Sequence, residues 1–233
     1  MAEPYLPNKQ NWPVYDLSPS TKGIIASVDS GGTPSTRNKD YWEGDIPWLT
    51  PKELSDNAQL YVSTTERKIS ELGLSKSAAK LMPAGSVLLT KRAPVGLVAV
   101  NTTPMATNQG FLNFQVNSKI RPLYLAYWLK ANTKYLHAIA NGSTYDELYK
   151  GDLFEFQVAV PSLSTQDHII NILKALQFQV KLAVPLEMFH SSPEELNELR
   201  DQNRKLEQLL DKITLLLLSG AINVNQPIEP LKV

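Results

Sequence analysis

Short apolar runs separated by turn residues fill the first two thirds of this 233-residue chain. Their lengths and their Val, Leu and Phe content are typical of strands in a curved sheet. We predict strands at residues 23–28, 86–90, 97–100, 110–116 and 154–160. Apolar residues at helical spacing predict two helices between the strands, at residues 65–72 and 122–132. The pattern therefore predicts an α+β domain with a curved mixed β-sheet over residues 1–163.

After Pro161 the pattern changes to helical periodicity. Ser164 and Asp167 have the spacing of a capping box, in which the serine oxygen accepts an early backbone N–H. Apolar residues then recur every three or four positions. This pattern predicts a helix over residues 164–184, which Pro185 ends.

A second helix is predicted over residues 193–219, with Ser192 as its N-cap, and it carries a regular heptad pattern. The seam positions are alternately three and four residues apart, and Asn203 is the polar member among apolar ones. The seam residues are Leu196, Leu199, Asn203, Leu206, Leu210, Ile213 and Leu217. Gly220 is a natural C-cap, so residues 164–220 form a helical region and residues 221–233 a C-terminal tail.

A seam this regular needs a partner helix. The helix can fold back on residues 164–184 as an intramolecular hairpin, or it can pair with a second chain. A polar residue in a seam lowers stability but determines register and the number of partners. Asn203 therefore favours a defined oligomer, and we predict dimerisation through the seam.

Composition restricts the class of protein. Hydrophobic residues make up 42% of the chain, and no apolar run approaches the roughly 20 residues of a membrane span. The N-terminus lacks a basic segment followed by an apolar one, so no secretory signal is apparent. The chain has no cysteine, which excludes disulfides and thiolate metal sites and favours a cytoplasmic location.

The net charge of the chain is zero, from 23 Lys and Arg against 23 Asp and Glu. Residues 1–163 carry 16 basic and 14 acidic residues, a balance of 16 − 14 = +2. Neutralisation of phosphates supplies most non-specific affinity for DNA. We therefore expect this chain by itself to bind DNA weakly.

Residues 30–54 have the composition of a recognition loop on a rigid support. Gly31 and Gly32 allow a sharp turn, and Pro34 restricts the next one. The hydroxyl-bearing residues of the loop are Thr33, Ser35 and Thr36, and the aromatic residues that can anchor it are Tyr41, Trp42 and Trp48.

Four further motifs follow in order: KLMPAGSVLLTKRAPVG at 80–96, MATNQGF at 105–111, NGSTY at 141–145 and VAVP at 158–161. The ordered series resembles the target-recognition domain of type I restriction-modification specificity subunits, over about residues 12–163. The resemblance implies a DNA-binding subunit without catalysis or cofactor. Such a subunit directs a methyltransferase (modification) subunit and an ATP-dependent restriction subunit to a sequence on double-stranded DNA.

The resemblance also implies how the two regions are used. Specificity subunits of this family carry two recognition domains, each followed by a helical region, and the helical regions pair antiparallel. This chain resembles one half of that arrangement. We therefore expect a homodimer whose two recognition domains read an interrupted palindrome.

The polar residues within the motifs are the candidate DNA contacts. Asn and Gln can bond adenine bidentately, whereas Lys, Arg and hydroxyl groups hold phosphates. The predicted DNA-binding residues are Thr33, Ser35, Lys52, Lys91, Arg92, Thr107, Asn108, Gln109, Ser143 and Thr144. Because family members that read different sequences share these motifs, we expect base choice to depend on the segments between them, at residues 57–77 and 145–151.

Signatures of catalysis are weak. The chain lacks the Asn/Asp-Pro-Pro-aromatic motif of amino-methyltransferases and a phosphate-binding loop ending in Gly-Lys-Ser/Thr. Asp56 with Glu66 and Lys68 matches a nuclease spacing that is common by chance, and the three histidines are too scattered for one metal site. The alternative is a non-catalytic coiled-coil module that binds another protein. The neutral charge favours this alternative, and the ordered motifs favour DNA recognition.

Overall fold

A computed structural model describes residues 7–56, 60–92, 94–140, 147–154, 156–183 and 193–224. The contacts between these residues divide the chain into two units. One consists of residues 13–160, and the other combines residues 7–12 with those from 161 onward. The two units are described separately.

The first unit contains the strands and the shorter helices. In chain order the strands are β1 (Val14–Tyr15), β2 (Ile25–Ser30), β3 (Ile46–Leu49), β4 (Tyr61–Val62), β5 (Lys68–Ile69), β6 (Val87–Thr90), β7 (Val98–Asn101), β8 (Ala106–Thr107), β9 (Phe111–Val116) and β10 (Val158–Ala159). The helices of this unit are α1 (Pro51–Asp56), α2 (Glu71–Ser75), α3 (Pro122–Ala131), α4 (Thr133–Ile139) and α5 (Lys150–Phe154), with a 3₁₀ turn at Lys39–Tyr41.

The described strands form a five-stranded, a three-stranded and a two-stranded sheet. The five-stranded sheet has the order β2-β9-β6-β7-β4 and is antiparallel except for the β4–β7 pair. The three-stranded sheet has the order β5-β3-β8, in which β3 and β8 are parallel, and β1 pairs with β10. Because β3 and β8 run in the same direction, the loops that follow them emerge at the same edge of their sheet.

The apolar runs become the central strands because both faces of the sheet are covered. All residues of β6 and β7 are buried, as are Phe111, Leu112 and Phe114 of β9. Four of the five predicted strands correspond to β2, β6, β7 and β9. The prediction for residues 154–160 is only partly right, since Lys150–Phe154 is helical and, among the described residues of this range, only Val158–Ala159 form a strand.

The helix predicted at residues 65–72 is wrong. Ile69 pairs with Ile46 in the small sheet and is fully buried there, so a tertiary contact outweighs local helical spacing. The helix α2 begins only at Glu71, where the Ser70 hydroxyl caps it by accepting from the Gly73 N–H at 3.0 Å. The second predicted helix is confirmed as α3, which is buried on nearly all sides.

The second unit consists of α6 (Leu163–Ala183) and α7 (Pro193–Leu218), which pack together. The predicted N-cap of α6 is wrong. Ser162, and not Ser164, accepts the Thr165 N–H at 3.2 Å. The predicted break at Pro185 and the predicted N-cap Ser192 of α7 lie outside the described residues.

The end of α7 is closed by a segment that is distant in sequence. Gly220 has a φ of 68°, as expected for a residue just past a helix end. The Lys9 N–H donates to the Ser219 carbonyl at 2.8 Å, and the Gln10 amide donates to the Gly220 carbonyl at 3.0 Å. These bonds satisfy carbonyl groups that a helix end leaves unpaired.

The predicted seam of α7 is buried unevenly. Leu217 is buried, Leu210, Ile213 and Asn203 are half-buried, and Leu206 is 39% exposed. Leu209 and Leu216, outside the predicted seam, are 52% and 43% exposed. The side chains of Leu196 and Leu199 lie outside the described part of the structure. In this chain α7 thus presents a row of exposed leucines beside its half-buried positions.

Candidate nucleic-acid interface

The loop after β2 lies very close to the loop after β8 and to the backbone at Ala78, and two glycines make these approaches possible. The Gly32 N–H donates to the Thr107 carbonyl at 2.9 Å. A Cβ on Gly31 would lie 2.1 Å from the Asn108 carbonyl oxygen, and a Cβ on Gly32 would lie 2.3 Å from the backbone of Ala78. Only glycine permits so close an approach. The two glycines therefore bring two of the predicted motifs together.

Polar side chains of these two loops meet at the surface. The Thr33 hydroxyl donates to Gln109 Oε1 at 2.5 Å, and both residues are exposed. Next to them, Asn108 Oδ1 accepts the Gly110 N–H at 2.8 Å, and the Asn108 N–H donates to the Leu49 carbonyl at 3.0 Å. Thr33, Asn108 and Gln109 thus form one polar group at the ends of strands β2, β3 and β8.

Two indole rings support the recognition loop from below. Trp48 is buried and its Nε1 donates to the Gly32 carbonyl at 2.9 Å, while Trp42 Nε1 donates to the Ser35 carbonyl at 3.1 Å. The two rings are perpendicular, with centroids 4.9 Å apart. The predicted anchoring by Trp42 and Trp48 is therefore confirmed. Tyr41 contributes through its backbone carbonyl, which accepts the Ser70 N–H at 3.0 Å.

Lys91 and Arg92 converge on a carboxylate that the sequence did not point to. Lys91 Nζ lies 2.8 Å and Arg92 3.7 Å from the oxygens of Glu147. The hydrogen bond from Lys91, together with the charges of Lys91 and Arg92, holds the pKa of Glu147 below its ordinary value despite some desolvation. The Lys91 N–H also donates to the Gly110 carbonyl at 2.8 Å, so this ion-pair group adjoins the Asn108 turn.

The model for the type I restriction modification DNA specificity domain matches residues 20–183 of this chain. The chain belongs to this family. It is 39% identical over 176 residues to the type I restriction enzyme MjaIX specificity subunit of Methanocaldococcus jannaschii. The matched region covers 71% of this chain and 41% of the relative. It is 28% identical over 206 residues to the HindI specificity subunit of Haemophilus influenzae, covering 85% of this chain and 40% of the relative. The chain thus spans about two fifths of these relatives.

Solved specificity subunits share the fold. The HsdS subunit from Thermoanaerobacter tengcongensis superposes with a TM-score of 0.56 at 19% identity, over 91% of this chain and 46% of that one. The type I S subunit from M. genitalium gives 0.51 at 16% identity, over 90% and 49%. The predicted α+β class, with a mixed-sheet domain followed by long helices, is confirmed.

Within this specificity domain, some predicted residues come together and others do not. Thr107 is fully buried, and its hydroxyl accepts from the Asn113 amide at 2.9 Å, so it supports the loop from inside the protein. Lys52 is exposed on α1, one residue after Pro51, which lies against Gly110. Ser35 is exposed on the recognition loop. The predicted contacts Ser143 and Thr144 lie outside the described residues.

Sequence reasoning missed two residues of this surface, Glu147 and Arg67. Both fall inside the segments predicted to determine base choice, but the spacing along the chain gave no sign of their partners. The guanidinium of Arg67 lies 3.9 Å from the centroid of the Trp42 ring and 5.0 Å from that of Trp48. In the part of the chain that the structure describes, no group of three potential metal ligands occurs. No described helix has the length and apolar character to cross a bilayer.

Proposed function

We propose that this chain is a DNA-specificity subunit of a type I restriction-modification complex. The observation that carries the proposal is the polar group of Thr33, Asn108 and Gln109, held on rigid strand ends within the matched specificity domain. Side-chain amides and hydroxyls on a fixed support are suited to contacts with base edges and with the DNA backbone. Residues 1–163 are then the recognition domain and residues 164–220 the helical spacer.

Charge supports a role inside a complex. The chain is neutral overall, and Lys91 and Arg92 share the carboxylate of Glu147. The chain therefore has no net positive charge to attract phosphates, so binding by this chain alone should be weak. We therefore propose that a methyltransferase subunit and an ATP-dependent restriction subunit supply the remaining grip on the duplex and all of the catalysis, in the cytoplasm.

We further propose that two copies pair through α7. Leu206, Leu209 and Leu216 follow one another at spacings of three and seven, and they are exposed in the single chain. Burial of such a row against a second helix gives a favourable free energy of association. A two-fold pair would present two identical recognition domains, and the site on DNA would be an interrupted palindrome.

A gel-shift experiment with the cognate methyltransferase subunit tests the proposal, followed by sequencing of the bases that the complex modifies. We expect a sequence-selective shift and two inverted half-sites around a non-specific spacer. Two unrelated half-sites would contradict the homodimer but not the specificity role.

The second candidate is a module that binds another protein through α7, and the exposed leucines favour it. It predicts no sequence-selective shift under any condition, so the same experiment separates the two functions.

A further inference from the structure

Arg67 is held in place on both its backbone and its side chain. Its carbonyl oxygen accepts the Trp48 N–H at 3.0 Å and the Thr65 hydroxyl at 2.5 Å. Its guanidinium lies over the Trp42 ring, with 3.9 Å between the guanidinium carbon and the ring centroid. Arg67 is nevertheless exposed to solvent. The result is a guanidinium on the surface with a restricted orientation.

The rings that hold Arg67 are those that hold the recognition loop. Trp42 bonds the Ser35 carbonyl and Trp48 bonds the Gly32 carbonyl. Cation–π attraction and stacking therefore fix the guanidinium relative to the backbone that carries Thr33. Arg67 belongs to the same surface as the polar group, although it comes from a segment between β4 and β5.

The guanidinium of Arg67 is not paired with a carboxylate in the described structure. Lys91 and Arg92 are paired with Glu147, and Lys80 is paired with Asp29. No carboxylate or carbonyl in the described residues accepts a hydrogen bond from the Arg67 side chain. The guanidinium therefore keeps its N–H donors available for a ligand.

We propose that Arg67 reads a guanine in the DNA target by donating two hydrogen bonds to O6 and N7 in the major groove. This inference rests on the proposed function. A bidentate contact of this kind requires a planar donor pair in a set orientation, and contact of the guanidinium with the two indole rings restricts that orientation before DNA binds. A phosphate contact needs only a nearby charge, which the exposed neighbour Lys68 could supply without stacking.

The experiment uses the full chain assembled with its methyltransferase subunit, and it sequences the modified sites in genomic DNA. Three variants are compared with the unaltered chain: Arg67→Ala, Arg67→Lys and, as the matched control, Lys68→Ala. Lys68→Ala removes the same charge from the adjacent exposed position. Arg67→Lys keeps the charge and most of the side-chain length but lacks the planar pair of donors.

We expect both Arg67 variants to relax the requirement for guanine at one position of each half-site, by about tenfold or more in relative methylation. Lys68→Ala removes a neighbouring charge without changing the guanidinium over Trp42, so it should leave the requirement for guanine unchanged.

The inference is overturned if Arg67→Ala weakens binding by the same factor for all sequences and flattens the salt dependence, which would make Arg67 a phosphate contact. It is also overturned if base choice is unchanged in both Arg67 variants. Arg67 would then serve only to pack against the Trp42 ring. If Arg67→Ala does not fold, as judged by a thermal melt, Arg67→Lys decides the matter. Failure of the unaltered complex to select any sequence would overturn the proposed function itself, a result distinct from unchanged selectivity in the variants.

Discussion

The loop after β2 and the helix α7 are each held by contacts with distant parts of the chain, but they expose different chemistry. The loop is held by the close approach of Gly31 and Gly32 and presents hydroxyl groups such as that of Thr33. The helix end is held by Lys9 and Gln10, while α7 presents exposed leucines along its length. Polar groups with a set position suit a ligand rich in hydrogen-bonding groups. A row of apolar side chains suits another helix.

Two regions of the chain thus meet two different requirements, directional polar contacts and apolar association. Directional contacts need a rigid support, so the first unit places backbone atoms against one another at distances that exclude a Cβ. Association through leucines depends mainly on buried apolar area and heptad register. A single helix such as α7 can supply both without close backbone contacts.

The largest effect on DNA recognition is expected from Gly31→Ala. The new Cβ would lie 2.1 Å from the Asn108 carbonyl oxygen, so the loop would have to move away from β8. We expect a loss of about 1–3 kcal/mol in the free energy of unfolding and a loss of sequence-selective binding. Urea denaturation and gel shifts measure both.

Gly151→Ala is the matched control, since nothing lies within 4 Å of a Cβ at that helical position. It should be neutral or stabilising by up to about 1 kcal/mol. Equal effects of the two substitutions would contradict the close-approach account of the loop.

The double variant Leu206→Lys with Leu209→Lys tests the apolar half of the contrast. Both side chains are exposed in the single chain, so the unfolding free energy of the monomer should change by less than about 0.5 kcal/mol per site. In a pair of chains the same substitutions would place four charges in the interface. Light scattering should therefore show monomers.

Leu217→Ala serves as the control, because Leu217 is buried within the single chain. It should lower stability by about 2–5 kcal/mol through the cavity that it leaves. A double variant that still forms dimers would mean that association uses another surface.

Thr107→Val distinguishes a supporting residue from a DNA contact. The Asn113 amide would lose its acceptor in a buried position, where Asn113 Oδ1 already lacks a partner among the described residues. We expect a loss of about 1–3 kcal/mol in stability with unchanged half-sites. Thr64→Val, at an exposed position, should stay within about 0.5 kcal/mol. Altered half-sites with unchanged stability would restore the DNA contact predicted from sequence.

Glu147→Gln is expected to lower the free energy of unfolding by only about 0.5–1 kcal/mol. Because the pKa of Glu147 is lowered by Lys91 and Arg92, its contribution is complete above its ordinary value of 4.5 and is lost as pH falls through the lowered pKa. The difference between the variant and the unaltered chain should therefore vanish in acid.

The same substitution frees the two cations, so DNA binding by the complex should strengthen and become more dependent on salt. Fluorescence anisotropy at several salt concentrations measures this change. Weaker binding at all salt concentrations would mean that Glu147 positions Lys91 and Arg92 rather than competing with phosphate.

The sequence by itself determined the elements whose signals are local. The strands at residues 87–90 and 111–116 follow apolar runs, and the helices α3 and α7 follow helical periodicity. All four form where the pattern predicts them. The ordered motifs also sufficed to indicate the family, which the match over residues 20–183 confirmed.

Only the tertiary structure decided which polar residues share a surface. Thr33 meets Gln109 across 76 positions of the chain, and Lys91 meets Glu147, because sheet pairing brings those loops together. Ile69 became a strand residue by pairing with Ile46. Thr107 is buried and supports the loop from inside, whereas its place in a turn motif predicted an exposed side chain. Spacing along a chain does not encode contacts made by segments that fold back on one another, because the packing that creates them belongs to the whole unit.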